Sequence, residues 1–375
     1  MKVIIAPDKF KGTLVAKDVA KAIEAGIKKV APDAQTVLIP IADGGEGTVD
    51  AILTAAGGAR HEVVATGPLG ESVRAGFGIL PDGTAVIEMA QASGFALVPP
   101  DKRDPTVTTT YGTGELIEAA LDFEARRFLI GIGGSATCDA GIGAAQALGI
   151  KIYREDGLEI GFGGAELIKI TGIDRSTIDS RISGTEFLVA SDVNNPLYGP
   201  YGAAHVFAPQ KGASADQVNL LDQGLINFAR VVEKDLGVDI SNIPGGGAAG
   251  GLGAGLVAFL GASIKPGAEL IIEAVGLREK IKGADLVITG EGQIDAQSVY
   301  GKAPVGVTRL AKKNSVKVVA IAGRLGQDYE KVFDAGVEQV FSLAEIAGTA
   351  DEAMKNPTPY IEAAASRIAK EFLLN

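Results

Sequence analysis

Carboxylates, hydroxyls and lysines recur beside glycines just after short apolar runs. Asp8 follows one such run, and Asp43 with Glu46 follows the next. Ser135 with Asp139, Asp192, Glu291 with Asp295, and Arg324 follow others further along. If the runs are strands, each polar group lies past a strand's carboxyl end, where open α/β sheets bind ligands. A single acidic turn carries little weight, because turns favour Asp anyway. Repetition is what points to a site. These residue types fit phosphoryl transfer, which needs glycine turns to cradle phosphate, carboxylates for Mg²⁺ and for the attacking hydroxyl, and cations for the moving charge. Candidate cradles are the turn with Gly133, Gly134, Ser135 and Thr137, and a second glycine run with Gly246 and Gly247. Candidate Mg²⁺-binding or basic carboxylates are Asp8, Asp43, Asp139, Asp192 and Glu291, and candidate cations are Lys9, Lys11 and Lys302.

The central stretch runs from Phe128 to Gly143. A β-rich run, 128–132, leads into a glycine turn, and a helical pattern is expected from near Thr137 to Leu148. Strand, glycine turn and helix start together make an anion site, because N–H groups and the helix dipole face the ligand. The same residues also satisfy the dinucleotide fingerprint in its alanine form, Gly131-x-Gly133-x-x-Ala136, with Glu155-Asp156 downstream. An NAD-linked dehydrogenase of a small hydroxy acid is therefore one alternative. Asp139 stands against it, being close to where the pyrophosphate would lie. A two-lobed sugar-acid-binding protein without catalysis is another, though it would hardly need so many strand-end carboxylates. A P-loop is excluded, since no Gly-x₄-Gly-Lys-Ser/Thr occurs, and so are the protein-kinase elements. Ser135 has no nucleophile-elbow context.

The elements that must position these groups follow from periodicity. Helical spacing marks 15–30, 49–56, a segment opened by Gly112, a run ending at Leu260, another ending at Lys312, and 358–374. Strand-like runs cover 2–8, 36–41, 128–132, 150–153, 187–192, 285–291, 317–322 and 339–342. Between 62 and 88 the pattern alternates, with turn signals at Gly67-Pro68, Gly70 and Pro81-Asp82-Gly83, as in antiparallel hairpins. The two ends of the chain are alike in style and the middle differs. The expectation is an α/β protein of two domains. Residues 1–63 and 283–375 form a discontinuous Rossmann-like domain with a parallel sheet. Residues 64–282 form an inserted α/β domain with some antiparallel hairpins.

Composition narrows the classes. The chain has 375 residues, 51 Gly, no Trp and a formal net charge of −11. Nucleic-acid binding is not expected without a basic stripe. One cysteine, Cys138, excludes an internal disulfide and a cysteine zinc cluster, and two histidines make a histidine metal site improbable. No apolar run reaches membrane-spanning length and no signal-peptide layout opens the chain, so a cytoplasmic protein is expected, as a monomer or homodimer. Cys138 reads as a packed small residue, and Glu88 as either a cleft acid or a paired core acid.

Several stretches together resemble the bacterial glycerate kinases of the type unrelated to P-loop and sugar-kinase folds. They are Ala6-Pro-Asp-Lys-Phe-Lys-Gly12, Ile41-Ala-Asp-Gly-Gly-Glu-Gly-Thr48, Gly131 to Thr137, Ala190-Ser-Asp-Val-Asn194, Pro244 to Gly253, Ile288 to Asp295 and Gly301-Lys-Ala-Pro304. They span nearly the whole chain in the family's order. Lys9 departs from the usual Ser, and Cys138-Asp139-Ala140 from the usual Asn-Asp-Gly. The resemblance implies ATP- and Mg²⁺-dependent phosphorylation of D-glycerate, to 2-phosphoglycerate rather than 3-phosphoglycerate, in a cleft between two domains. On that reading Lys9 or Lys11 holds the substrate carboxylate, with Asp8, Glu46 and Asn194 as further substrate contacts. Asp192 or Asp43 takes the hydroxyl proton, and Glu291 and Asp139 organise Mg²⁺–ATP.

Overall fold

The computed structural model describes residues 1–42, 44–299 and 303–374, without the side chains of 297, 299 and 303. Asp43 and Lys302 lie outside the described residues. In chain order the strands are β1 (Lys2–Pro7), β2 (Gln35–Leu38), β3 (Ala59–Thr66), β4 (Ser72–Ile79), β5 (Ala85–Glu88), β6 (Arg127–Gly131) and β7 (Lys151–Arg154). Then come β8 (Ile170–Asp174), β9 (Glu186–Ala190), β10 (Ser263–Lys265), β11 (Leu286–Ile294), β12 (Lys317–Leu325) and β13 (Gln339–Ser342). The fold is α/β, and the chain divides into two compact units. One is Met1–Asp43 with Asp50–Gly57 and Gly267–Asn375; the other is Gly44–Val49 with Gly58–Pro266.

The first unit holds a parallel sheet in the order β13-β12-β11-β1-β2. Counted along this unit, the order is the doubly wound 2-1-3-4-5 arrangement, whose ligand position is the point where the order reverses. Here that point lies between β1 and β11. Their residues are buried runs, with Val3, Ile4, Ile5, Val287 and Ile288 all at 0% exposure. Such runs are expected of strands covered on both faces. Helix Ala16–Val30 and helix Pro357–Phe372 pack together, with Val19, Ile23, Ile361 and Ile368 in a common core.

The second unit holds a mixed sheet, β10-β9-β6-β5-β4-β3. Strands β3, β4 and β5 form an antiparallel meander, while β5, β6, β9 and β10 run parallel. The alternating pattern of 62–88 is this meander, and Gly67-Pro68 and Pro81 to Gly83 are its turns. Two expectations for this unit are corrected. Strand-like 150–153 is β7, but it pairs antiparallel with β8 in a separate two-stranded sheet. The long helix Ala215–Leu236 was not expected. Its signals are plain in hindsight: Ser214 and Gln217 form a capping box, Val218, Leu221, Leu225 and Phe228 repeat at helical spacing, and Gly237 ends it in a left-handed conformation.

The base of β6 is a tight aromatic contact. Phe128 is fully buried, and its ring stacks on Phe187 of β9 at 4.9 Å between centroids. Phe128→Ala leaves a cavity there and should cost about 3–5 kcal/mol of stability, read as a lower urea midpoint at unchanged slope. A loss below about 1 kcal/mol would mean that the site relaxes freely and does not anchor the strand.

Candidate active site

In the first unit, Asp8 and Glu291 lie at the switch point, although Glu291 falls inside β11 and not past its end as expected, because the strand runs on to Ile294. The Asp8 N–H donates to the Gly290 carbonyl at 2.8 Å, so Asp8 lies directly beside the start of Glu291. Both carboxylates are mostly buried, at 9% and 8% exposure. Oδ1 of Asp8 accepts the Lys9 N–H at 2.6 Å. The turn carrying Lys9 and exposed Lys11 runs against β11, since a Cβ on Gly292 would stand 3.2 Å from the Lys11 nitrogen. Arg324 Nε donates to Gln293 Oε1 at 2.7 Å, and Gln293 Nε2 donates to Asp295 Oδ2 at 2.8 Å. Arg324 therefore lies inside β12 rather than past its end, held within a polar chain across β12 and β11.

In the second unit, the ends of β5, β6 and β9 collect the remaining groups. The loop with Glu46 lies against β6: a Cβ on Gly131 would come within 2.3 Å of the Gly44 carbonyl, which also accepts the Gly133 N–H at 3.2 Å. The Ala190 side chain, at the end of β9, is the neighbour on Gly44's other side, and exposed Asp192 and Asn194 follow. Glu88 at the end of β5 is the paired acid of the two expected roles. It is 1% exposed and accepts the Val49 N–H at 2.6 Å, the Gly47 N–H at 3.2 Å and Gln91 Nε2 at 3.2 Å. Glu88 thus pins the loop that displays exposed Glu46. Gly133, Gly134 and Ser135 turn immediately beyond β6, and Phe95 N–H donates to the Gly134 carbonyl at 2.8 Å.

Three expectations meet a different local geometry. The helix after this turn is Ile142–Ala147 and does not start near Thr137, because Ala140 and Gly141 take positive φ values of 50° and 78°. The turn with Gly133 to Ser135 therefore lacks a helix N-terminus behind it. Glu155 and Asp156 sit in the turn between β7 and β8, away from the parallel strands, so the dinucleotide fingerprint has neither its helix nor its ribose acid. The second glycine run is packing, not cradle. The Gly246 N–H donates to Ile243 O and the Gly247 N–H to Asn195 O. At Gly250, φ is +69° and a Cβ would stand 2.1 Å from Thr137 O.

Asp139 was expected to hold a cation. It is fully buried, and its oxygens accept from Thr110 N–H and Oγ1, both at 2.8 Å, and from Gly141 N–H at 3.2 Å. Burial pushes its carboxyl above the ordinary range, opposed by those hydrogen bonds. Burial likewise drives the Cys138 thiol up to about 12, which makes it inert. Among the described residues no group of three or more His, Cys, Asp or Glu is placed to hold a metal. Asp8 and Glu291 nevertheless offer hard oxygens on neighbouring strands. That suits Mg²⁺, which takes one or two protein carboxylates and fills its shell with water and phosphate.

Sequence reasoning missed Lys211. It lies in the 3₁₀ turn Pro209–Lys211, is 4% exposed, and donates from Nζ to Ser135 Oγ at 2.7 Å and to Thr137 O at 2.6 Å. No periodicity or motif marks it, because it lies in a short turn far along the chain from its partners.

Two measurements check these readings. Asp139→Ala orphans buried donors, so it should cost roughly 1–3 kcal/mol in denaturant unfolding. A variant of full stability with altered Mg²⁺ dependence would return Asp139 to the cation. Burial pushes Lys211 down to about 8 from 10.5, with Cys138 and Asp139 opposing. The cost of burying its charge is therefore complete below pH 8 and vanishes as pH climbs to 10.5. Wild-type stability should rise across that window relative to K211M; parallel curves would contradict it.

Comparison with known proteins agrees on one family. The model of the glycerate kinase family matches residues 3–373. A glycerate kinase from Halalkalibacterium halodurans is 51% identical, covering 98% of this chain and 97% of that protein. The glycerate 2-kinase of Escherichia coli K12 is also 51% identical, over 98% and 97%. A crystal structure from Salmonella typhimurium LT2, described provisionally as glycerate kinase 2, superposes with a TM-score of 0.88 at 44% identity, covering 99% of this chain and 97% of that one. With the match running almost end to end, this chain belongs to the glycerate kinase family and is a kinase, an enzyme of the phosphotransferase class.

Proposed function

We propose that the enzyme transfers the γ-phosphoryl group of ATP to the 2-hydroxyl of D-glycerate, yielding ADP and 2-phosphoglycerate. A bond forms from the substrate oxygen to the γ-phosphorus, the bond to the bridging oxygen of ADP breaks, and the hydroxyl proton passes to a carboxylate. The observation that carries the reading is the pair Asp8 and Glu291, mostly buried acids at adjacent backbone positions at the reversal point of a parallel sheet. The E. coli relative's name, glycerate 2-kinase, supports the 2-position.

In this reading Asp192, exposed just past β9, takes the proton, with Asp43 as the competing base. Lys9 and Lys11 bind the glycerate carboxylate, and Glu46 and Asn194 contact its hydroxyls. The Gly133 to Thr137 turn and Lys302 bind phosphate. Glu291 and Asp8 would hold Mg²⁺, which would offset the charge of the phosphates. Asp139 acts as a strut beneath the phosphate turn. Gly246 and Gly247 support it from the packed glycine run. Among the described residues no helix is long and apolar enough to cross a membrane, and dependence on ATP puts the reaction in the cytoplasm. A monomer or a homodimer serves this chemistry equally, and sedimentation reads which.

Coupled ADP release should require both D-glycerate and Mg²⁺, and ³¹P NMR should identify the 2-phosphate. Product carrying the 3-phosphate would overturn the regiochemistry. Asp192→Asn should lower kcat by roughly 10²–10⁴-fold with small changes in KM, the range for loss of a general base. Unchanged turnover in a folded D192N enzyme would exclude it.

A further inference from the structure

Lys211 carries a buried ammonium whose recorded partners are a hydroxyl and a carbonyl. Among the described residues it forms no ion pair with a carboxylate. Its contact with Ser135 has a direction, since an ammonium only donates and Ser135 Oγ must accept. The hydroxyl hydrogen of Ser135 is thereby turned away from Lys211, and its oxygen is polarised by a positive charge 2.7 Å away. Among the described residues Thr137 Oγ1 and Arg103 Nε are buried with no hydrogen-bond partner. The Arg103 guanidinium carbon sits 3.7 Å over the Phe95 ring, and Phe95 N–H donates to Gly134 O. Lys211 thus reaches the turn directly, Arg103 stacks on a residue bonded to it, and Gly134 is its exposed residue.

We propose that Lys211 is a positioning residue for anion binding. By holding Ser135 Oγ as an acceptor, it presents the Ser135 hydroxyl as a charge-strengthened donor to an anionic substrate oxygen lodged on the Gly133 to Thr137 turn. That oxygen belongs either to a nucleotide phosphate or to the glycerate carboxylate, which share the chemistry of a resonance-stabilised oxyanion. The inference rests on the kinase reading above. It explains why a lysine is buried without a carboxylate: its charge serves a ligand through one intervening hydroxyl. Acting through Ser135, Lys211 differs from a structural lysine, which would affect stability alone.

The test compares wild type, K211M, K211R and S135A by steady-state kinetics, with ADP and D-glycerate titrated separately by calorimetry. K211M should raise the KM of one substrate tenfold or more while kcat changes less than threefold. S135A should raise the same KM. The double variant should be no worse than the poorer single one, because the two groups act as a unit. K211R should recover part of the loss. A rise for ATP and ADP identifies a nucleotide phosphate; a rise for glycerate identifies its carboxylate. Folded K211M with both KM values unchanged overturns the proposal, as does S135A with unchanged affinity for both ligands. If K211M fails to fold, S135A decides, since it removes only one oxygen. Absence of glycerate-dependent ADP release in wild type would sink the kinase reading alone. The calorimetric comparison of wild type with S135A would still decide the role of Ser135, and wild type binding neither ligand would overturn it.

Discussion

Parallel pairing of neighbouring strands is the constraint on which this molecule depends. It sends the carboxyl ends of β1, β11 and β12 to one edge of their sheet, and those of β5, β6 and β9 to one edge of theirs. Polar turns far apart in sequence become neighbours without any of them being chosen for local structure. Asp8 and Glu291 are 283 residues apart, yet a single backbone hydrogen bond ties Asp8 to the residue before Glu291. The reversal of strand order between β1 and β11 opens room at that edge, where these two mostly buried acids lie.

Glycine serves two physical ends in the second unit. At Gly131 the lack of a Cβ lets the Gly44 carbonyl lie against the end of β6, and that contact carries the Glu46 loop to the turn at Gly133. At Gly250 it lets one backbone lie on the carbonyl of Thr137. In sequence these runs look alike. Only the N–H accounting separates them, because the donors at Gly246 and Gly247 already have protein acceptors.

Buried charge in this unit is structural first. Glu88 ties down the Gly44–Val49 loop and Asp139 ties Thr110 to Gly141, each by accepting backbone N–H groups. Such carboxylates are costly to bury and stay only where donors surround them. Lys211 is held by a neutral hydroxyl and a carbonyl, with the Asp139 charge acting on it only from beyond hydrogen-bond reach, a different balance from that of the two carboxylates.

The amino-acid sequence by itself determined the α/β class, the approximate positions of the parallel strands and the family. Each of those is written in local periodicity, in turn residues or in short motifs such as Ala6 to Gly12 and Ile288 to Asp295. It also marked Asp8 and Asp192, which stand just past strand ends, because Asp after an apolar run is visible one run at a time, but not that β11 and β12 run on past Glu291 and Arg324. Tertiary structure alone decided their partners. Whether 150–153 joined the parallel sheet, whether Asp139 faced a ligand or Thr110, and whether Lys211 reached Ser135 all depend on contacts between distant segments. Side-chain reach and backbone hydrogen bonding act through space, and a periodic pattern carries no information about which distant carbonyl or hydroxyl will fill the other half of the pair.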